Sequence, residues 1–375
     1  MNDYKIKITS ASGVEGVVKR ELTHLGYPLA PSINGTLTLD GNDSDVAKLN
    51  MFLRTADRVY IEIASFKAEN FDELFEGVYN INWEYYLPKD ARIYVNGKSQ
   101  KSKIFALSAS QKIIKKAILK RLSKAYKTEW FSENGYEIKV EFNIYEDIVS
   151  IMLNTSGQGL HKRGYRDMVG IAPIKETLAS AMILLSDYYY KRPLVDPFCG
   201  SGTIVLESAK IALNIASGID RDFDFNHFQF FDKTVFNKVV EEARDLEERD
   251  REISITGYDI DKKAIELSKY HAKKLGLENK VHFEVKDVKD FTSSESRGVI
   301  ITNPPYGERV LEKEEALSLY KTLGGIYKKL DNWSLFLITS ADGFERAFNK
   351  KADKNRKLYN SNKQCRFYQY FSKRV

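Results

Sequence analysis

Leu194-Val195-Asp196-Pro197-Phe198-Cys199-Gly200-Ser201-Gly202-Thr203 is the stretch on which the fold turns. A short apolar strand runs into an acid, then a glycine turn, then the helix-forming run 204–213. Gly200 and Gly202 permit a tight turn and close approach of the backbone to a ligand. Thr203 opens a helix whose first N–H groups face that turn. In open α/β sheets such a turn lies outside the carboxyl end of a strand, where ligands bind. A dinucleotide-phosphate loop would carry a third glycine where Val205 stands. The acid at Asp196 suits an ammonium or hydroxyl group better than a phosphate.

Downstream, the same unit recurs. Residues 253–258 alternate as a strand and end at Asp259-Ile260-Asp261. Asp261 is placed to cap a helix over 261–275 that stops at Gly276, which leaves Asp259 free to accept the hydroxyls of a ribose. A strand over 281–285 precedes Asp287 and Val288, where a carboxylate can accept hydrogens from an aromatic amine. The apolar run 298–302 leads into Asn303-Pro304-Pro305-Tyr306-Gly307. Two prolines fix the backbone and leave carbonyls without competing N–H groups. The Asn303 side-chain oxygen and the Pro304 carbonyl can converge on a planar exocyclic amine, and Tyr306 can stack on the ring that carries it. Helices over 314–330 and 342–349, a strand over 334–339 and a closing hairpin (356–360, 366–371) continue the alternation. The pattern predicts a doubly wound, mostly parallel sheet with an antiparallel edge. The stretch 214–252 breaks the rhythm with Phe223, Phe225, Phe228, Phe230 and Phe231 and a charged helix over 235–251. It reads as an insertion.

Upstream, residues 1–155 mix strands (4–10, 35–40, 59–63, 92–95, 137–144, 148–154) with helices (13–26, 71–79, 104–126). Asp43 or Ser44 is positioned to cap a further helix ending near Leu53. This is an α+β pattern without a catalytic constellation. Residues 154–166 are rich in Gly, polar and basic types and suit a linker, followed by a helix from Pro173 to Leu185.

The chain has 375 residues, too many for one ordinary domain, with 43% hydrophobic and 29% charged side chains. No apolar run reaches about 18 residues, which excludes a membrane-spanning helix. No signal peptide is visible, and two cysteines suit neither a disulfide framework nor a metal cluster; a cytoplasmic protein without a metal is expected. Net charge is +6, but residues 98–127 hold ten Lys/Arg and no acid, and residues 345–375 hold ten against two. Such segments suit a polyanion. Lys98, Lys101, Lys103, Lys112, Lys115, Lys116, Lys120 and Arg121 are the candidate phosphate contacts. Tyr126 and Trp130 are either base-stacking partners or partly core.

The four motifs, in this order, resemble class I S-adenosylmethionine-dependent methyltransferases that act on amines. The extension Asn303-Pro304-Pro305-Tyr306-Gly307-Glu308-Arg309 is similar to that of THUMP-domain RNA guanine-N2 methyltransferases, notably those of bacterial large-subunit ribosomal RNA. The stretches His161–Arg166, Ala172–Ala179, Leu358–Asn360 and Cys365–Tyr370 agree. The resemblance implies an α/β, Rossmann-like methyltransferase domain (193–375). Ahead of it come a ferredoxin-like domain (1–65), a THUMP RNA-binding domain (66–155) and a linker with leading helix (156–192). It implies S-adenosylmethionine as cofactor, held by Asp196, Phe198, Cys199, Gly200, Gly202, Thr203, Asp259, Ile260, Asp287 and Val288. It makes Asn303, Pro304, Pro305 and Tyr306 the catalytic loop, and RNA the partner. Transfer RNA, DNA adenine-N6 and protein glutamine methylation, and a non-catalytic RNA-binding role, remain alternatives. Oligomeric state is left open. On this reading, deletion of residues 1–155 is expected to spare cofactor binding and abolish RNA binding.

Overall fold

The computed structural model describes residues 3–28, 31–33, 35–166, 174–306 and 313–372. Ala172, Pro173 and Gly307-Glu308-Arg309 lie outside the described residues.

The N-terminal half runs β1 (Tyr4–Ser10), α1 (Glu15–His24), β2 (Ser32–Ile33), β3 (Thr36–Gly41), α2 (Asp43–Phe52), β4 (Ala56–Lys67), α3 (Phe71–Tyr79), α4 (Trp83–Tyr86), β5 (Arg92–Gln100), α5 (Leu107–Tyr126), β6 (Glu137–Tyr145) and β7 (Ile148–Asn154). Its strands form one seven-stranded sheet in the order β2-β3-β1-β4-β7-β6-β5. Strand β4 pairs with β1 on one side and β7 on the other, so it is common to both ends of this half. Helix α5 buries Ile114, Ala117, Ile118 and Leu122 at helical spacing. The hairpin between β6 and β7 turns on Glu146 and Asp147, both left-handed (φ 51° and 63°). The cap of α2 is Asn42, not Asp43 or Ser44. Its side chain accepts from the N–H groups of Ser44 and Asp45, and the Asp45 carboxylate accepts from the N–H of Asn42.

The second half runs α6 (Glu176–Leu185), β8 (Leu194–Asp196), α7 (Thr203–Ala212), α8 (Lys233–Asp245), β9 (Ile255–Asp259), α9 (Lys262–Lys274), β10 (His282–Val285), β11 (Gly298–Thr302), α10 (Lys313–Tyr327), β12 (Trp333–Thr339), α11 (Phe344–Phe348), β13 (Lys354–Asn360) and β14 (Lys363–Tyr370). The sheet order is β10-β9-β8-β11-β12-β14-β13. β8 to β12 run parallel, and the final hairpin adds two antiparallel strands. Strand order reverses between β8 and β11, which is where such sheets open a ligand crevice. Among the described residues no helix is long and apolar enough to cross a membrane.

Residues 154–166 are not a solvated linker. Asn154, Thr155, Ser156, Leu160, Arg163 and Tyr165 are buried. Arg163 donates to the carbonyls of Leu160 (2.7 Å) and Arg54 (2.5 Å) and faces Glu207 on α7 at 3.6 Å. Lys210 is buried and Arg54 partly buried beside this pair, so one ionic network spans both halves.

The 214–252 insertion is the other tie. Phe223, Phe225, Phe228 and Phe231 are buried, and Phe230 packs edge-on to Tyr4 and Tyr86. The Gly218 N–H and Ser217 hydroxyl donate to the carbonyls of Met51 and Leu53 (2.9 and 2.8 Å). Asp224 accepts from Tyr136 and Lys139 (2.8 and 3.0 Å). The N-terminal half is therefore not a detachable unit. Removing residues 1–155 strips cover from several phenylalanines, each worth about 1.5–3 kcal/mol of burial. Such a deletion is therefore expected to destabilise the second half as well, together with its strand-end site.

Candidate functional site

Four strand ends stand side by side: Asp196 after β8, Asp259 after β9, Asp287 beyond β10 and Asn303 beyond β11. The glycine turn between β8 and α7 is fixed from behind. The Cys199 N–H donates to the Tyr258 carbonyl (2.8 Å), and the Ser268 hydroxyl of α9 donates to the Gly200 carbonyl (2.7 Å). Gly200 has φ +51°, and a Cβ there would meet nothing within 4 Å. The turn thus opens onto free space on its ligand side. Gly202 has φ +83°, and a Cβ would press into Phe283 at 2.9 Å. Both positions need glycine, for opposite reasons. Thr203 is the buried first residue of α7; Phe198 is partly exposed and packs against the second apolar core.

Asp196 is fully buried. It accepts from the Thr302 hydroxyl (2.6 Å) and the Phe198 N–H (3.1 Å). Thr302 precedes Asn303, so this bond ties the glycine turn to the Asn303–Tyr306 loop. Thr302 was not singled out from sequence, because a threonine ending an apolar run carries no signal of its own. Burial pushes the Asp196 carboxyl up to about 7, assisted by the nearby charge of Asp259 and opposed by the two hydrogen bonds. The folded state then keeps a proton that the unfolded chain releases near its ordinary value of about 4. This contribution to stability is fully present below about pH 4 and is lost as the pH rises to about 7. Asp196→Asn is expected to remove that slope. Denaturant titrations at pH 5 and pH 8 check it, and equal slopes in both proteins overturn it.

Asp259 accepts from the Gly200 N–H and the Asp261 N–H (both 2.9 Å), while Asp261 caps α9 by accepting from Lys263 (2.8 Å). Ile260 is 71% exposed at the strand end. An isoleucine left bare between two acids offers a flat apolar contact to a ring. Asp287 accepts from the Lys289 N–H (2.9 Å), and Val288 beside it is buried.

On the fourth loop, the Tyr320 hydroxyl donates to the Pro305 carbonyl (2.7 Å) and fixes it. Among the described residues no hydrogen bond is made to the Pro304 carbonyl. Tyr306 was expected to stack on a substrate ring. Here its hydroxyl donates to Asn303 Oδ1 (2.5 Å), its ring lies under Lys363 (5.3 Å to the centroid), and Cys365 Sγ approaches it at 3.9 Å. Burial raises the Tyr306 hydroxyl far above its ordinary value, so it stays a donor. The acceptor intended for an amine is satisfied from within, and a ligand must take it over.

The basic candidates do not form one patch. Arg121 is spent on Glu84 of α4 and Lys115 on Glu133. Lys103 pairs with Glu69, and Lys101 lies by Tyr145 and Glu146. Lys112, Lys116 and Lys120 are exposed at fourfold spacing along α5. By strand alternation Lys98 falls with Tyr94 and Asn96, on the face of β5 opposite to buried Ile93 and Val95. Tyr126 is half-buried with its hydroxyl on the Leu87 carbonyl (2.9 Å), while Trp130 is 74% exposed.

Residues 163–369 match a family described as "RMKL-like, methyltransferase domain"; residues 5–60 match an RlmL ferredoxin-like domain and residues 68–154 a THUMP domain. The Bacillus subtilis protein named "Putative RNA methyltransferase YpsC" is 42% identical over 375 residues, covering 100% of this chain and 97% of its own. "Ribosomal RNA large subunit methyltransferase K/L" of Shewanella baltica is 31% identical over 95% of this chain. This chain spans only 51% of that longer protein. A crystal structure described as "SMU.472, a putative methyltransferase complexed with SAH" is 40% identical, covers all of both chains and has a TM-score of 0.93.

Proposed function

The chain belongs to the RMKL-like methyltransferase family, and from that premise we propose that it methylates the exocyclic N2 of a guanine in RNA, with large-subunit ribosomal RNA as substrate. It is an RNA methyltransferase that uses S-adenosylmethionine. The observation that supports transfer to an amine is the Asp196–Thr302 bond. It sets a cofactor-type strand end and an amine-accepting loop against each other across one crevice.

The residues present fit that cofactor. Asp196 would accept from its ammonium, Asp259 has lone pairs left for its ribose hydroxyls, Ile260 would offer an apolar contact to its adenine ring, and Gly200 leaves space for it. When bound, S-adenosylmethionine supplies an electrophilic methyl group on a cationic sulfur. The target base must be extruded from its stack, because an amine inside a helix is out of reach. Asn303 Oδ1 and the Pro304 carbonyl accept hydrogen bonds from the amine and aim its lone pair. For this the Tyr306 hydroxyl must release Asn303. Catalysis is then mostly positioning, which supplies roughly 7–11 kcal/mol in favourable cases. The proton lost from the methylated nitrogen passes to a carbonyl or to water. The THUMP match favours RNA over DNA as the source of the amine.

Labelled methyl transfer to deproteinised ribosomal RNA, transfer RNA and genomic DNA, followed by nucleoside digestion, tests the assignment. Label in N2-methylguanosine of ribosomal RNA is the expected result. Label in N2-methylguanosine of transfer RNA overturns the substrate. Label in DNA N6-methyladenine overturns substrate and base alike.

A further inference from the structure

A cavity of about 260 Å³ opens where residues 158–166 meet the start of α6. It is lined by Gln158, His161–Gly164, Arg166 and Ile174–Glu176. None of these belongs to the four strand-end loops. The lining carries four cations (Lys162, Arg163, Arg166, Lys175) and one acid, Glu176. That acid is already paired with Arg166 at 2.9 Å. Among the described residues neither Lys162 nor Lys175 has an ion-pair partner. Arg163 is 1% exposed, and its Nε finds no acceptor among the described residues although its other nitrogens do. A buried guanidinium N–H without an acceptor is costly, and the cost is removed by an anion.

His161 reports the field here. Burial, then Lys175, Lys162, Arg58 and Arg163, hold its imidazole down to about 4, so it stays neutral and does not add to the charge. Outside the lining, Glu207 faces Arg163 at 3.6 Å, and Asp57 is itself pushed up by burial. The cavity sits on the seam between the two halves. The Leu160 N–H donates to the Asp57 carbonyl on β4 (2.8 Å). On the other side Tyr165 packs edge-on to His271, whose Nδ1 lies 3.2 Å from the Ser201 carbonyl in the glycine turn.

We propose that this cavity binds a phosphodiester of the substrate RNA, gripped by Lys162 and Lys175 over the buried Arg163, on the path between the N-terminal sheet and the amine-binding loop. The proposal rests on the RNA-methyltransferase reading. Arg163 and Arg166 have Glu207 and Glu176 beside them, but Lys162 and Lys175 have no such acid among the described residues, and the cavity opens outward. The Nε–H left on Arg163, below two ammonium groups without ion-pair partners among the described residues, is a donor set that suits phosphate oxygens.

The test uses the full chain with Lys162→Ala/Lys175→Ala and Lys162→Arg/Lys175→Arg, both at surface side chains that leave Arg163 in place. Binding of a fluorescent ribosomal RNA fragment is measured by anisotropy across salt, and S-adenosylhomocysteine binding by calorimetry. The alanine pair should weaken RNA binding roughly tenfold at moderate salt and flatten the log–log salt slope by roughly 1–2. The arginine pair should restore both. S-adenosylhomocysteine affinity should not move. Unchanged RNA affinity and slope overturn the proposal while the parent protein's methyl transfer keeps the wider reading intact. A matching loss of S-adenosylhomocysteine affinity also overturns it, since the anion held would then be the cofactor's carboxylate. Competition by inorganic phosphate without any change in RNA affinity assigns the cavity to a free anion and overturns it too. If the parent protein methylates no RNA, the wider reading fails first, and that result is separate from the variant comparison.

Discussion

Asn303→Ala lowers methyl transfer to RNA by roughly 100- to 1000-fold, the scale seen when one preorganised polar group is removed from an active site. Affinity for S-adenosylhomocysteine should stay within about twofold, because the proposed cofactor contacts lie on the glycine turn, Asp259 and Asp287. The loss should fall on turnover, since Asn303 Oδ1 is the acceptor proposed to fix the direction of the amine. Its proximity to Tyr306 sharpens the test. Tyr306→Phe frees Asn303 from its internal donor (2.5 Å in the parent) and keeps the aromatic ring. That variant should retain much more activity than Asn303→Ala. Single-turnover kinetics together with calorimetric titration separate the outcomes. An equal collapse of cofactor affinity in Asn303→Ala would show that this loop shapes the cofactor pocket instead.

Arg163→Ala costs about 3–5 kcal/mol of stability, the range for removing one partner of a buried ion pair. The side chain is 1% exposed, and it is bonded to two carbonyls from different parts of the chain. Its removal leaves Glu207 buried with Lys210 and the Ser180 hydroxyl (2.8 Å) but without its central cation. It also loosens Arg54, whose carbonyl it holds. Because these groups come from both halves, the two halves should lose cooperativity together. Urea unfolding followed by tryptophan fluorescence and far-ultraviolet circular dichroism measures this. Lys5→Ala, at an exposed pair with Asp40, is the control and should stay within about 0.5 kcal/mol of the parent. A cost below about 1 kcal/mol for Arg163→Ala would mean that the phenylalanine-rich insertion alone holds the halves together.

The catalytic half was largely legible because its rules are local. A strand ending in an acid and followed by a helix announces itself at Asp196, Asp259 and Asp287. A rigid Asn-Pro-Pro-Tyr turn does so at 303–306. The parts that were not legible depend on partners far away in sequence. The 154–166 stretch has a linker's composition, yet its polar groups meet Asn50, Arg54 and Glu207 and become core. The aromatic run in the insertion is core for the same reason: Phe230 meets Tyr4, Tyr85 and Tyr86, more than a hundred residues earlier. The α2 cap was misplaced by one residue because Asn, Asp and Ser all cap well, and only the reciprocal bond from Asp45 selects Asn42. Arg121 and Lys115 look like phosphate contacts until Glu84 and Glu133 come beside them in the fold.

The position of β14 has a consequence for the order in which the molecule is made. This strand lies inside the sheet, between β12 and β13, although it leaves the ribosome after every other strand. The N-terminal sheet holds only strands from residues 4–154, so it can form during synthesis, when domains emerge and fold in turn. The parallel strands of the second sheet must wait with β12 open along one side. Tyr306 rests against Cys365 of β14, so the reactive corner is finished only with that last strand. Nascent chains halted before residue 363 should therefore carry a mature N-terminal half beside an unfinished methyl-transfer site.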